Sequence, residues 1–190
     1  MTRLTLKGGT LAGGNPTIEK RSPSDFYPTP PACTEALMRD FASIFGGKVL
    51  WEPACGNGAM SVILAKKARV VISSDLYDRG YGIKGVDFLT RRMPTKVEGI
   101  VTNPPFALAV DFIRKARTHN VPFAFLLKST FWNAKKRHDL FVETGPLAVA
   151  PLLWRPSFAP SRGKSPTLDF CWTVWGAKPE KKCTFVLMKK

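Results

Sequence analysis

The sequence predicts an α/β fold whose central sheet is mostly parallel and covered by helices on both faces. Short apolar runs alternate with segments in which apolar residues recur at helical spacing, a pattern typical of parallel strands joined by helices. The first apolar run leads directly into a glycine-rich turn and then into a helical segment. Apolar runs near the end of the chain predict an antiparallel C-terminal strand pair.

The elements can be assigned in chain order. A helix is predicted to begin at Pro30, with Thr29 as its N-cap, and to stop before Gly46. The remaining elements are strand 48–51, helix 59–65, strand 69–75, a short strand 82–87, strand 97–102, helix 107–118, strand 121–127, a helix ending near residue 143, and strands 146–153, 168–174 and 184–188. We expect the last two strands to pair with each other.

Length and composition set the domain organisation. The chain has 190 residues, of which 44% are hydrophobic, enough for one compact domain with a proper core. Residues 1–24 mix Gly, Pro, Ser, Thr and basic residues without apolar periodicity, which predicts a flexible basic N-terminal arm. We therefore expect a single domain over residues 25–190 and a monomeric protein.

Cysteine spacing and apolar run length bear on metals and location. The four cysteines and two histidines form no Cys-x-x-Cys pair and no zinc-type spacing, so no metal site is expected. No run of 18 apolar residues occurs, and the N-terminus lacks the apolar segment of a secretory signal. The expected location is the cytoplasm of a bacterial or phage-infected cell, without membrane association.

The charge balance indicates the class of partner. Lysine and arginine number 29 against 14 acidic residues, a net charge of +15. An excess of this size favours a polyanion, so nucleic acid is the expected partner.

The glycine turn and two downstream carboxylates form the first candidate site. The turn Glu52-Pro53-Ala54-Cys55-Gly56-Asn57-Gly58 joins a strand to a helix, where backbone N–H groups can approach a ligand closely. Asp75 ends the next strand and is placed to accept both hydroxyls of a ribose. Asp87 could accept from an adenine amino group while Phe88 covers the ring. Since Ser61 stands where a dinucleotide fingerprint has glycine, NAD and FAD are disfavoured.

The segment Asn103-Pro104-Pro105-Phe106 suits methylation of an exocyclic amine. The lone pair of such an amine is delocalised into its ring, and acceptors directed at the amine protons favour a pyramidal nitrogen and stabilise its developing charge. Asn103 offers a side-chain oxygen, and Pro104, which has no backbone N–H, leaves its carbonyl free to point into the site. Pro105 stiffens the backbone, and Phe106 can stack on the target ring. A base within a duplex would have to be flipped out to reach this segment.

With these residues assigned, the chain resembles the Rossmann-like class I methyltransferases, and among them the small phage and prophage DNA adenine N6-methyltransferases. The resemblance covers roughly residues 25–176. It implies S-adenosylmethionine as the methyl donor, bound without metal, and transfer to N6 of adenine in DNA. The implied cofactor-binding residues are Tyr27, Thr29, Glu52, Pro53, Ala54, Cys55, Gly56, Asn57, Gly58, Asp75, Leu76, Asp87 and Phe88, with Thr29 near the methionine carboxylate.

The sequence departs from many DNA methyltransferases in having no segment long enough for a separate target-recognition domain. Recognition would then fall to two loops that combine basic and aromatic side chains, as single-strand-binding surfaces do. The residues concerned are Lys128, Trp132, Lys135, Lys136 and Arg137 in the first loop, and Arg155, Phe158, Arg162 and Lys164 in the second. Short or relaxed sequence specificity is expected.

Three alternatives stay open at this stage. RNA adenine methyltransferases share the Asn-Pro-Pro-aromatic segment and an affinity for phosphate. Protein glutamine methyltransferases share the segment too, although they usually carry Tyr at its fourth position and an amide substrate leaves the charge unexplained. The third alternative is a non-catalytic nucleic-acid-binding module that keeps the fold. Transfer to cytosine N4 is disfavoured, because that group typically has Ser in place of Asn103.

Overall fold

The computed structural model describes residues 27–158 and 166–190, and the predicted N-terminal arm lies outside them. The helices and strands within the described residues are α1 (Pro31–Asp40), α2 (Ala42–Phe45), β1 (Val49–Glu52), α3 (Ala59–Leu64), β2 (Val70–Ser73), β3 (Gly99–Thr102), α4 (Ala109–Arg117), β4 (Phe123–Lys128), α5 (His138–Thr144), β5 (Ala148–Pro151), β6 (Phe170–Trp175) and β7 (Thr184–Phe185). Three short 3₁₀ turns precede α4 and α5.

The strands form one sheet in the order β2-β1-β3-β4-β6-β5-β7. Strands β1 to β4 are parallel, β6 runs antiparallel to both β4 and β5, and β7 is parallel to β5. The predicted α/β class and largely parallel sheet are therefore confirmed, and β5 with β6 forms the antiparallel C-terminal pair.

Alternating side chains along the strands build a core on each face of the sheet. Leu50, Val101 and Trp172 belong to the cluster that includes the buried faces of α1 and α3. Their neighbours Trp51 and Ile100 belong to the cluster with α4 and α5 on the other face. Because both faces are covered, the central strands read as continuous apolar runs in the sequence.

Three predicted details of the fold are wrong. The strand expected at 82–87 is reduced to a single parallel bridge between Ser74 and Ile83, in a segment that is largely exposed and rich in glycine. The segments 168–174 and 184–188 do not pair with each other, because β5 lies between them. Thr29 makes no capping hydrogen bond to α1, whose N-cap is Pro30.

The order of the strands creates the position of the site. From β1 the chain passes to β2 on one side and later returns to β3 on the other side of β1. The carboxyl ends of β1 and β3 therefore flank a topological switch point, where ligands of open α/β sheets bind. The glycine turn follows β1, and Asn103-Pro104-Pro105-Phe106 follows β3. Among the described residues, no helix has both the length and the apolar character needed to cross a membrane.

Candidate active site

A cavity of about 470 Å³ opens at the switch point, a size within the range of small-molecule sites. The structure brings almost all of the sequence-predicted cofactor and catalytic residues to its wall. These are Tyr27, Thr29, Glu52, Pro53, Ala54, Cys55, Gly56, Asn57, Asp75, Leu76, Asp87, Phe88, Asn103, Pro104, Pro105 and Phe106. Gly58 is not part of the wall. Residues from five separate segments of the chain thus meet at one edge of the sheet.

Gly58 acts on the shape of the glycine turn. Its φ of +83° lies in the left-handed region, and a Cβ there would come within 2.5 Å of the ring of Tyr81. Glycine is required on both counts, since any side chain would be strained and would displace the tyrosine. Gly58 therefore lets the loop after β2 pack onto the turn after β1.

Asp75 joins the same two loops through hydrogen bonds. The backbone N–H of Gly56 donates to Oδ2 at 2.8 Å, and that of Tyr77 donates to Oδ1 at 2.9 Å. The side chain is 8% exposed and lies on the cavity wall. Each carboxylate oxygen keeps a further lone-pair direction, so the group can still accept hydrogen bonds from a ligand.

Glu52 is the most deeply buried acid of the site, at 2% exposure. Burial raises its pKa to about 8, and the neighbouring negative charge of Asp75 adds to the effect, although the hydroxyl of Ser61 donates to it and opposes the rise. Burial likewise raises the pKa of the Cys55 thiol to about 12, with Glu52 and Asp75 contributing. Cys55 is therefore a neutral thiol near pH 7 and a poor nucleophile.

Asp87 and Phe88 lie at the side of the cavity. The backbone N–H of Leu89 donates to Oδ1 of Asp87 at 2.9 Å. Phe88 is 2% exposed and packs 5.1 Å from Trp51 and 4.7 Å from Phe112, between ring centroids. Phe88 is thus mainly a core residue whose surface reaches the cavity, while Asp87 is half-buried and more accessible.

The amide of Asn103 has one atom paired and one unpaired. Its Nδ2 donates to Oγ1 of Thr29 at 3.2 Å, which orients the side chain from the segment preceding α1. Its Oδ1 is buried and has no hydrogen-bond partner among the described residues. A buried amide oxygen without a donor is unfavourable by about 1–3 kcal/mol, and such atoms in native proteins commonly await a ligand or water.

Phe106 separates this cavity from a second one of about 430 Å³. Tyr27, Phe106 and Ala107 line both cavities. The rings of Tyr27 and Phe106 stack with centroids 6.2 Å apart and planes 20° apart, and Nζ of Lys128 lies 4.5 Å from the centroid of Phe106. The second cavity is lined by Tyr27, Phe106, Ala107, Ala109, Leu127, Lys128, Thr130, Phe131, Arg137, Phe158, Leu168 and Phe170.

The nine residues expected to contact nucleic acid fall into different environments. Lys128, Arg137 and Phe158 line the second cavity, Lys135 and Lys136 are exposed, and exposed Arg155 is ion-paired with Asp169 at 2.8 Å. Arg162 and Lys164 lie outside the described residues.

Trp132 is held to the sheet by its indole, and its role as a nucleic-acid contact stays a prediction. Its indole N–H donates to Oγ1 of Thr173 at 3.0 Å, and its ring packs edge-on against Phe131 and Phe141. The half-buried side chain packs against the core beneath the loop, and Thr173 supplies the acceptor that its indole N–H needs.

Sequence reasoning missed several residues of both cavities. Tyr77 and Arg79 line the first cavity, and their position just after Asp75-Leu76 was the available signal. Phe170 lines the second, and nothing in the sequence placed the start of an antiparallel strand at this edge. Among the described residues, no group of three or more His, Cys, Asp or Glu side chains is arranged to hold a metal.

The fold is the Rossmann-like fold of methyltransferases. It superposes on a type I restriction-modification methyltransferase subunit from Streptococcus thermophilus with a TM-score of 0.63 and 14% identity, over 85% of this chain and 47% of that one. A dimethyladenosine transferase from Plasmodium falciparum gives 0.58 and 18%, over 82% and 64%. The 23S rRNA methyltransferase ErmE gives 0.56 and 16%, over 79% and 68%.

The likeness is one of fold, given these identities. This chain spans less than half of the Streptococcus subunit and under two thirds of the Plasmodium enzyme. No protein-family model matches the chain, and no curated protein matches it by sequence.

The raised pKa of Glu52 predicts a pH dependence of stability. The folded protein keeps a proton on Glu52 that the unfolded chain releases above the ordinary pKa of 4.5, so the free energy of unfolding falls as pH rises from there to about 8. Glu52→Gln removes this term. Relative to wild type, we expect the free energy of unfolding of the variant to rise by roughly 2–4 kcal/mol from pH 5 to pH 8. Urea unfolding at both pH values measures it.

Glu143→Gln is the matched control, because Glu143 is an exposed glutamate on α5. Its difference from wild type should stay near zero at both pH values. A Glu52→Gln difference that does not change with pH would show that Glu52 is ionised in the folded protein throughout this range.

Proposed function

We propose that this chain transfers a methyl group from S-adenosylmethionine to N6 of adenine in DNA. The observation that carries the proposal is the buried, unpartnered Oδ1 of Asn103 beside Phe106 at the switch point of the sheet. An amide oxygen in this position lacks a donor, and the N–H of an exocyclic amine stacked on Phe106 is the donor that the chemistry requires.

The first cavity suits the methyl donor in charge. S-adenosylmethionine carries a sulfonium and an ammonium, and the acidic side chains of Asp75 and Asp87 line the wall, whereas buried Glu52 keeps its proton. Asp75 accepts from backbone N–H groups in a fixed orientation and is suited to receive ribose hydroxyls as well. Leu76 and Phe88 offer apolar surface for an adenine ring.

The chemistry of the methyl donor determines what the residues of the site must do. When bound, S-adenosylmethionine would supply the methyl group by in-line displacement: the carbon–sulfur bond breaks as the carbon–nitrogen bond forms, the thioether leaves neutral, and the methylated nitrogen releases one proton to water. The residues of this chain therefore act by positioning and by stabilising developing positive charge on nitrogen. Oδ1 of Asn103 would accept from one amine N–H, held in place by the bond from Nδ2 to Thr29.

The position of the Phe106 ring favours an aromatic acceptor of the methyl group. Its ring lies between the cavity suited to the donor and a second cavity with largely aromatic walls. A base entering from the second cavity would stack on Phe106 and present its amine to Asn103. Such a base must be flipped from a duplex or offered in a single strand.

Nucleic acid is favoured as the polymer by the net charge of +15. The structural neighbours include a restriction-modification methyltransferase subunit, a dimethyladenosine transferase and a 23S rRNA methyltransferase, which makes RNA adenine methylation the second candidate function. DNA rests on the resemblance to phage-type adenine methyltransferases. Protein glutamine methylation leaves the charge without a role.

The test offers labelled S-adenosylmethionine with duplex DNA, single-stranded DNA and RNA, and identifies the modified nucleoside by mass spectrometry. We expect N6-methyldeoxyadenosine from at least one of the DNA substrates. Modified adenosine from RNA alone would replace DNA by RNA in the proposal, and label in cytosine or protein would contradict it. Sequencing of the modified sites should give a short or relaxed motif, and a long motif would contradict recognition by loops.

Asn103→Ala should lower turnover by about 10²–10³-fold, since it removes a preorganised acceptor at the reacting amine. Cofactor affinity, measured by calorimetry, should change little. The matched control is Asn120→Gly, at an exposed asparagine of positive φ that lines neither cavity, and it should keep wild-type turnover. Wild-type turnover in Asn103→Ala would remove Asn103 from the chemistry.

A further inference from the structure

The second cavity combines aromatic walls with uncompensated positive charge. Its aromatic side chains are Tyr27, Phe106, Phe131, Phe158 and Phe170. Lys128 and Arg137 add two cations, and no Asp or Glu is among the described residues that line it. Aromatic surface beside unpaired cations suits a ligand with a flat ring and a negative charge.

The two cations are held in different ways. The guanidinium of Arg137 lies 3.9 Å from the centroid of Phe131 and donates to the carbonyl of the same residue. It is thereby fixed to the cavity wall. Lys128, the last residue of β4, has no ion-pair partner within the described residues. Its ammonium is carried on a flexible four-carbon stem, so it can move.

The position of the Lys128 ammonium matters because of what it covers. It lies 4.5 Å from the centroid of Phe106, the distance of a cation–π contact on the ring. Phe106 is also the ring that joins the two cavities. A base that stacks on the same face of Phe106 needs the space that the ammonium fills, so the two cannot occupy it together.

We propose that Lys128 selects a nucleotide as the acceptor by exchanging one partner for another. With the second cavity empty, its ammonium covers the ring of Phe106. When a nucleotide enters, the base takes the ring and the ammonium moves to the phosphate, where it neutralises the charge. The inference rests on the proposed function in one respect, namely that the acceptor is a nucleotide.

This exchange favours an acceptor that carries both a base and a phosphate. A neutral nucleoside must displace the ammonium from Phe106 and offers it no anion in return. A nucleotide compensates the lost cation–π contact with a charge-assisted contact, which is the stronger of the two. Lys128 thus weakens the binding of uncharged acceptors and strengthens the binding of phosphate-bearing ones.

The experiment titrates the full chain with deoxyadenosine 5′-monophosphate and with deoxyadenosine, each followed by NMR at fixed salt. For wild type we expect the monophosphate to bind about tenfold more tightly. In Lys128→Ala this preference should fall to about twofold or less, because the phosphate loses its partner. Affinity for deoxyadenosine should stay equal or rise, since no cation then covers Phe106. Opposite responses of the two ligands distinguish exchange from general loss of the site.

The matched control is Lys178→Ala. Lys178 is exposed and follows β6, whose end pairs with the start of β4, so it lies at the opposite edge of the sheet. The Lys178→Ala substitution removes the same charge and should leave the preference for phosphate unchanged. If both variants lose the preference for phosphate equally, that preference is due to net charge, and the proposal is overturned.

Other outcomes are equally decisive. Equal binding of both ligands to wild type, or a tenfold preference retained in Lys128→Ala, would contradict the role of Lys128. Because Lys128 is half-buried, Lys128→Met provides a second variant that keeps the aliphatic stem. Binding is measured without methyl transfer. A phosphate preference without activity on any polymer would contradict the proposed function alone, and activity without the preference would contradict this inference alone.

Discussion

The carboxylate of Asp75 is the constraint on which the site depends. It accepts from the backbone of Gly56 in the turn after β1 and of Tyr77 in the loop after β2, and so holds together two loops that leave neighbouring strands. Gly58 reinforces this packing by admitting the ring of Tyr81. With these loops fixed, the walls of the first cavity are defined before any ligand binds, which is the preorganisation that a positioning enzyme needs.

Around this constraint the fold arranges two cavities with opposite chemistry. The first is lined by the acidic side chains of Glu52, Asp75 and Asp87, together with Arg79. The second carries cations and aromatic rings. A cationic donor and an anionic acceptor would therefore be sorted to opposite sides of Phe106. The unpartnered oxygen of Asn103 lies on the donor side of this boundary, where an incoming amine would arrive.

The sequence predicted the elements of the fold well where a local pattern of residues identifies them. Apolar runs identified β1 to β4, of which β1, β3 and β4 are buried on both faces and β2 lies half-buried at the edge. The glycine turn and the Asn-Pro-Pro-Phe segment stood at the carboxyl ends of β1 and β3, where the fold brings them together. Such positions follow from topology, because parallel strands all end at one edge.

What escaped prediction depends on long-range pairing. The segment 82–87 has strand-like residues but lacks a covered face, so it forms one bridge only. Nothing in the sequence indicated that the indole of half-buried Trp132 donates a hydrogen bond to Thr173, 41 residues away on β6. Phe170 reaches the second cavity because β6 runs antiparallel to β4, an orientation that no local pattern encodes.

The central claim is that the loops held by Asp75 form a site for S-adenosylmethionine. Calorimetric titration of the full chain with this compound tests it most directly, with Asp75→Ala beside wild type. The account predicts one site per chain in wild type and affinity at least about tenfold weaker in the variant, because the two loops lose their shared acceptor and the ribose loses its charged hydrogen bonds. Absence of binding to wild type would contradict it and would favour the non-catalytic alternative that keeps the fold.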